Sequence, residues 1–107
     1  MNACSNSAAP EASIARLITL ANIGELALAL YCAASATTIA KRRYHEAIAK
    51  HESKYDEQPY SRIDPRDRSC APVIAASKKQ FEAYQAARRA AYNIKRRLDN
   101  ACRKVAP

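Results

Sequence analysis

FEAYQAARRAAYNIKRRLDNACRKV, residues 81–105, carries the clearest helical period in the chain. Phe81, Tyr84, Ala87, Ala91, Ile94, Leu98, Ala101 and Val105 follow one another at steps of three and four, and Ser77 extends the series backwards. That spacing lays one apolar stripe with small residues in it along an α-helix. The opposite face carries Lys78, Gln85, Arg89, Arg96 and Arg103. Pro72 suits the opening of this helix, and Pro107 lies just past its end near Val105.

Working back towards the N-terminus, PYSRIDPRDRSCA (residues 59–71) holds two prolines, serines and alternating charges. It reads as a loop of about a dozen residues, long for a helix connection. Before it, no proline occurs between Pro10 and Pro59. A long first helix is therefore expected over residues 10–58, after a loose, small and polar segment over 1–9. Glu11 suits the positive end of that helix.

This first helix changes character midway. Leu17, Ile18, Leu20, Ile23, Leu26, Leu28, Leu30, Tyr31, Cys32 and Ile39 make it apolar on nearly every side between Leu17 and Ala40, where Glu25 is the only charge. After Lys41-Arg42-Arg43 it turns amphipathic, with Tyr44, Ile48 and Tyr55 on one stripe. A helix apolar all round has to be covered by protein or by lipid. The span Leu17–Ala40 is 24 residues, enough to cross a bilayer. Its many Ala, Ser and Thr and the charge of Glu25 count against insertion, which a mid-span acid opposes by roughly 2.5–3.5 kcal/mol. The basic cluster that follows resembles a positive-inside flank.

The expected fold is all-α: a long two-helix antiparallel hairpin, oligomeric or part of a larger assembly. Gly24 costs roughly 1 kcal/mol mid-helix relative to Ala, and marks either a close helix contact or a break that would give three helices. Helices of about 48 and 34 residues measure roughly 70 and 50 Å. A hairpin closed at the loop then leaves the leading stretch, with Ile14, Leu17, Ile18 and Leu20, beyond the reach of the second helix. The predicted assembly face is Leu17, Ile18, Leu20, Ile23, Leu26, Leu28, Leu30 and Tyr31.

Charge supplies the second feature. The formal net charge is +8, and residues 78–104 hold nine Lys or Arg against Glu82 and Asp99, a local net of +7. The predicted basic face is Lys78, Arg88, Arg89, Lys95, Arg96, Arg97, Arg103 and Lys104. Such a face suits phosphate backbones, anionic head groups or an acidic protein. Binding to nucleic acid would be independent of sequence and sensitive to salt, since no helix-turn-helix or zinc module is visible.

Enzyme chemistry finds no footing in the sequence. A single glycine excludes a phosphate-cradling loop and a nucleophile elbow. His45 and His51 are six apart, the wrong spacing for a shared metal face, and both read as solvated. Cys4, Cys32, Cys70 and Cys102 lie too far apart in sequence for a zinc or redox motif, and Cys32 and Cys102 read as small apolar fillers. No cofactor and no metal are expected. The N-terminus MNACSNSAAPEAS lacks the positive region of a cleavable signal peptide, so reduced thiols in a cytoplasmic or virion setting are expected.

In layout, LITLANIGELALALYCAASATTIAKRRYHEAIAK (residues 17–50) followed by FEAYQAARRAAYNIKRRLDNACRKV resembles small internal virion (ejection) proteins of short-tailed bacteriophages. The resemblance implies a non-enzymatic virion component that contacts DNA or the host envelope, and it assigns no residue a role. The functional expectation is a helical structural or assembly protein. Its alternatives are a basic nucleic-acid-binding accessory protein and an inhibitor that docks on an acidic host protein.

Overall fold

The structure, a computed structural model, describes residues 5–55 and 63–107, with side chains from Ser13 onward in the first helix. The chain is all-α, two long helices packed against each other as a hairpin, with no strand among the described residues. Helix α1 is Ser5–Lys54 and helix α2 is Ala71–Val105.

Several boundaries differ from expectation. Helix α1 begins at Ser5, ahead of Pro10, so residues 5–9 of the stretch expected to be loose are helical; residues 1–4 lie outside the described residues. It ends at Lys54, and the Tyr55 N–H donates to the His51 carbonyl at 3.2 Å in a last turn. Gln58 and Pro59 lie outside the described residues, as does the loop expected over 59–71 up to position 62. Helix α1 also runs unbroken through Gly24, so the three-helix alternative is not realised. Nor does Gly24 serve a close contact: a Cβ built there meets nothing within 4 Å.

A single 3-10 turn, Arg68–Cys70, leads into α2. Asp67 caps it, its carboxylate accepting from the Ser69 N–H at 2.9 Å and from the Ser69 hydroxyl at 2.8 Å. Those bonds hold the Asp67 carboxyl below the usual carboxylate range. Pro72 follows as the second residue of α2, where its missing N–H costs nothing because the first four helical N–H groups have no partner within the helix.

The hairpin divides into two compact units, each pairing a piece of α1 with a piece of α2. One unit is Ala33–Ala91. On its α1 side Ala33, Thr37, Ala40, Tyr44, Ala47 and His51 are half-buried or buried; on its α2 side Val73, Ser77, Gln80, Tyr84, Ala87 and Ala91 are. Both series alternate steps of four and three, the seam of a coiled coil. Its core is thin. Among the described residues only His51, Cys70, Val73 and Ser77 are buried, all at the loop end. The Ser77 hydroxyl donates to the Val73 carbonyl at 2.7 Å, so its burial leaves no orphaned donor.

His51 corrects the expectation of a solvated side chain, since it is 7 % exposed. Its place on the seam, four residues after Ala47, turns it inwards. His45 is exposed. The Tyr44 ring packs against Phe81 at 5.1 Å and Tyr84 at 6.2 Å between centroids. Burial there raises the Tyr44 phenol above its ordinary value.

The other unit joins the chain up to Cys32 with Tyr92–Pro107. Here Ile23, Leu26 and Leu30 of α1, and Ile94, Leu98, Ala101 and Val105 of α2, are half-buried, and no described residue is fully buried. Cys32 and Cys102 are exposed, contrary to their reading as fillers. Each sits one or two positions off the seam, beside Leu30 and Ala101 respectively.

Candidate interaction surfaces

The predicted assembly face separates into two sets. Ile23, Leu26 and Leu30 face the seam and are half-covered. Leu17, Ile18, Leu20, Leu28 and Tyr31 are exposed, and Ile14 and Ile39 join them. Leu17 is 64 %, Leu28 65 % and Tyr31 71 % exposed, which marks side chains turned to solvent and not merely at a rim. Outward positions of a two-helix coiled coil ordinarily carry charge. Here they carry Leu, Ile and Tyr, with Glu25 as the one charge between Leu17 and Ala40. Contiguous exposed apolar surface is the feature that sets interaction sites apart on soluble proteins.

Three threonine hydroxyls on this stretch lie within hydrogen-bond distance of carbonyls of their own helix. Thr19 donates to the Ala15 carbonyl at 3.0 Å and Thr38 to the Ala34 carbonyl at 3.1 Å. Thr37 lies 2.8 Å from the Ala33 carbonyl oxygen. A window within Ser13–Lys54 is long and apolar enough to cross a membrane by length and composition, and none of that window is buried.

The predicted basic face is entirely exposed. Lys78, Arg88 and Arg89 stand on the Ala33–Ala91 unit, and Lys95, Arg96, Arg97, Arg103 and Lys104 on the other. Along α2 they fan into rows at seven-residue intervals: Arg89, Arg96 and Arg103; Arg88 and Lys95; Arg97 and Lys104. Two guanidinium groups cover rings of their own helix, Arg88 over Tyr84 at 5.4 Å and Arg96 over Tyr92 at 6.0 Å. Gln85, placed on this face from sequence, is half-buried instead.

At the loop end of the Ala33–Ala91 unit an open groove of about 820 Å³ runs beside Arg43, Lys50, Lys54, Pro72 and Gln80. The Gln80 Oε1 is buried with no hydrogen-bond partner. Glu46 also lines the groove, and its carboxylate lies 3.9 Å from Arg42 on the exposed side of α1. Among the described residues no three His, Cys, Asp or Glu come together to hold a metal.

Sequence reasoning missed two features of these surfaces. One is the outward position of Ile39, which its two-residue offset from Thr37 would have given once the seam was known. The other is the Tyr44–Phe81–Tyr84 cluster, which joins residues far apart in the chain and leaves no local trace. Comparison with protein-family models, curated proteins and solved structures finds no match for this chain.

Proposed function

We propose that the protein is a non-enzymatic structural component that joins a larger assembly through the outward apolar face of α1. The observation that carries this reading is the exposure of Leu17, Ile18, Leu28 and Tyr31 on the side of α1 turned away from α2. Removing such side chains from water is worth roughly 25 cal/mol per Å², and the hairpin leaves that gain unused. A virion component that meets DNA and a host envelope would use this face together with the basic one.

Light scattering of the full chain in plain buffer and in mild detergent tests the reading. Particles several times the 11.8 kDa of one chain are expected in buffer, reduced in size by detergent or by Leu17→Glu with Leu28→Glu, at unchanged helix content. A lone monomer that binds neither itself nor a lipid surface overturns it.

The exposed cations of α2 favour a second reading, sequence-independent contact with nucleic acid. Phosphate contacts of this kind weaken steeply with salt. Retention of duplex DNA at about 50 mM salt, lost at high salt and lost on changing Arg89, Arg96 and Arg103 to Glu, supports it. No retention at low salt removes it.

A further inference from the structure

We infer that the surface covering the apolar face of α1 is an anionic lipid bilayer, entered when the hairpin opens from its free end as far as the Tyr44 cluster. The inference rests on the proposed function and names the occupant of that same face.

Three observations converge on a bilayer. First, Leu17–Ala40 is apolar on nearly every side, with Glu25 its one charge, the pattern of a segment that spans lipid and not of one that lies on it. Its 24 residues measure about 36 Å as a helix, against a hydrocarbon core of about 30 Å. The hydroxyls of Thr19, Thr37 and Thr38 are bonded to their own helix's carbonyls, as lipid requires of polar groups.

Second, charge changes abruptly where the apolar stretch ends. Lys41, Arg42 and Arg43 follow Ala40 directly and all three are exposed. They would sit at the level of anionic head groups, with Tyr44 beside them. In contrast to α1, α2 is strongly two-faced, with Ile94, Leu98 and Val105 on one side and Lys95, Arg96, Arg97, Arg103 and Lys104 around the rest. That is the make-up of a helix lying in the interface of an anionic membrane.

Third, the hairpin is built to part on one side. Every buried residue among those described lies on the loop side of Tyr44 and Tyr84. On the other side the seam positions of the Ala33–Ala91 unit are the small residues Ala33, Thr37, Ala40, Ala87 and Ala91, and the other unit has no fully buried residue among those described. Small side chains bury little area, so this part of the seam opens more readily than the aromatic cluster. Once α2 bends away from α1 beyond Tyr84, Leu17–Ala40 is presented to lipid on all sides and the basic stretch from Arg88 to Lys104 meets the head groups. Glu25 opposes entry.

The native thiols provide the test. Cys32 falls within the entering segment and Cys102 on α2, and both are exposed in the hairpin. The full chain, with either cysteine retained and the other three changed to Ser, is mixed with vesicles of phosphatidylcholine and phosphatidylglycerol, or of phosphatidylcholine alone. Reaction with a membrane-impermeant maleimide is then timed. Flotation with the anionic vesicles is expected, with Cys32 slowed at least tenfold relative to the urea-unfolded chain and Cys102 reactive throughout. Glu25→Gln raises the bound fraction several-fold. Leu28→Glu, at a position 65 % exposed in the hairpin, keeps the helix content and abolishes the protection of Cys32.

Bound protein whose Cys32 reacts as fast as in the urea-unfolded chain overturns the inference, because attachment is then by charge alone. Failure to float with anionic vesicles also overturns it. If in that case Cys32 is already protected in lipid-free buffer and detergent frees it, a second copy covers the face and the assembly reading stands. A monomer with reactive Cys32 and no vesicle binding removes both.

Discussion

The Thr37 hydroxyl oxygen lies 3.2 Å from the Ala87 carbonyl oxygen, fifty positions further along the chain. A side chain as short as threonine reaches the backbone of the facing helix only where both helices present small residues. Ala33, Ala40 and Ala91 flank this contact.

Enlarging Ala87 therefore forces the helices apart. Ala87→Leu is expected to destabilise the hairpin by about 1–3 kcal/mol, the usual cost of overpacking. Thr37→Val keeps the shape and removes a partly exposed hydroxyl, and is expected to cost no more than about 1 kcal/mol. Denaturant melts followed by circular dichroism decide. Equal effects from the two variants would refute close helix approach at this point.

Gly24 lies within α1 with open space where a Cβ would stand. Gly24→Ala is expected to stabilise by up to about 1 kcal/mol through helix propensity and a less flexible unfolded chain. A lower melting temperature would mean that the position is packed against something in solution.

Two tyrosines on the same helix are expected to behave oppositely. Tyr44 packs against two rings of α2, and Tyr44→Ala is expected to cost about 2 kcal/mol, below the 3–5 kcal/mol of a fully buried aromatic. Tyr31 is 71 % exposed, and Tyr31→Ala is expected to fall within about 0.5 kcal/mol of the parent in the soluble hairpin. The same Tyr31 substitution is expected to weaken whatever association the apolar face supports. Thermal melts and scattering on one set of samples separate the two effects.

The pH profile of stability is expected to bend at both ends. The Asp67 carboxyl is held low mainly by the Ser69 backbone N–H and then by its hydroxyl. Its contribution is therefore full above the ordinary carboxylate range and lost as pH falls through the depressed value. The Tyr44 phenol is raised by burial, so its contribution is full below about pH 10 and lost as pH rises through the raised value. Asp67→Asn flattens the acid limb and Tyr44→Phe the alkaline one. An unchanged limb in either variant assigns that bend to another group.

Much of α2 was legible from residues 77–105 alone, because a helix with one apolar stripe and a charged remainder declares its inner face. Its end at Val105 and the position of Tyr84 on the seam followed directly. The rank order of faces on α1 was not legible. Apolar on nearly every side from Leu17 to Ala40, it carries no periodic contrast from which an inner face could be read. Hence Ile23 and Leu28 looked alike in sequence, and in the structure one is half-covered while the other points outwards. His51 was misread for a related reason, since a histidine among charged neighbours gives no sign that it falls on the seam.

Helical class, one basic two-faced helix and a long, nearly uncharged apolar stretch on the first helix were all readable along the chain. Those properties follow from composition, period and length, which act along a single strand of chain. Which side of α1 meets α2, and so which leucines and isoleucines remain outside, is set by the packing of the two helices. That choice depends on how Thr37, Ala40 and Tyr44 meet Ala87, Tyr84 and Phe81, residues the chain brings together only by folding back on itself.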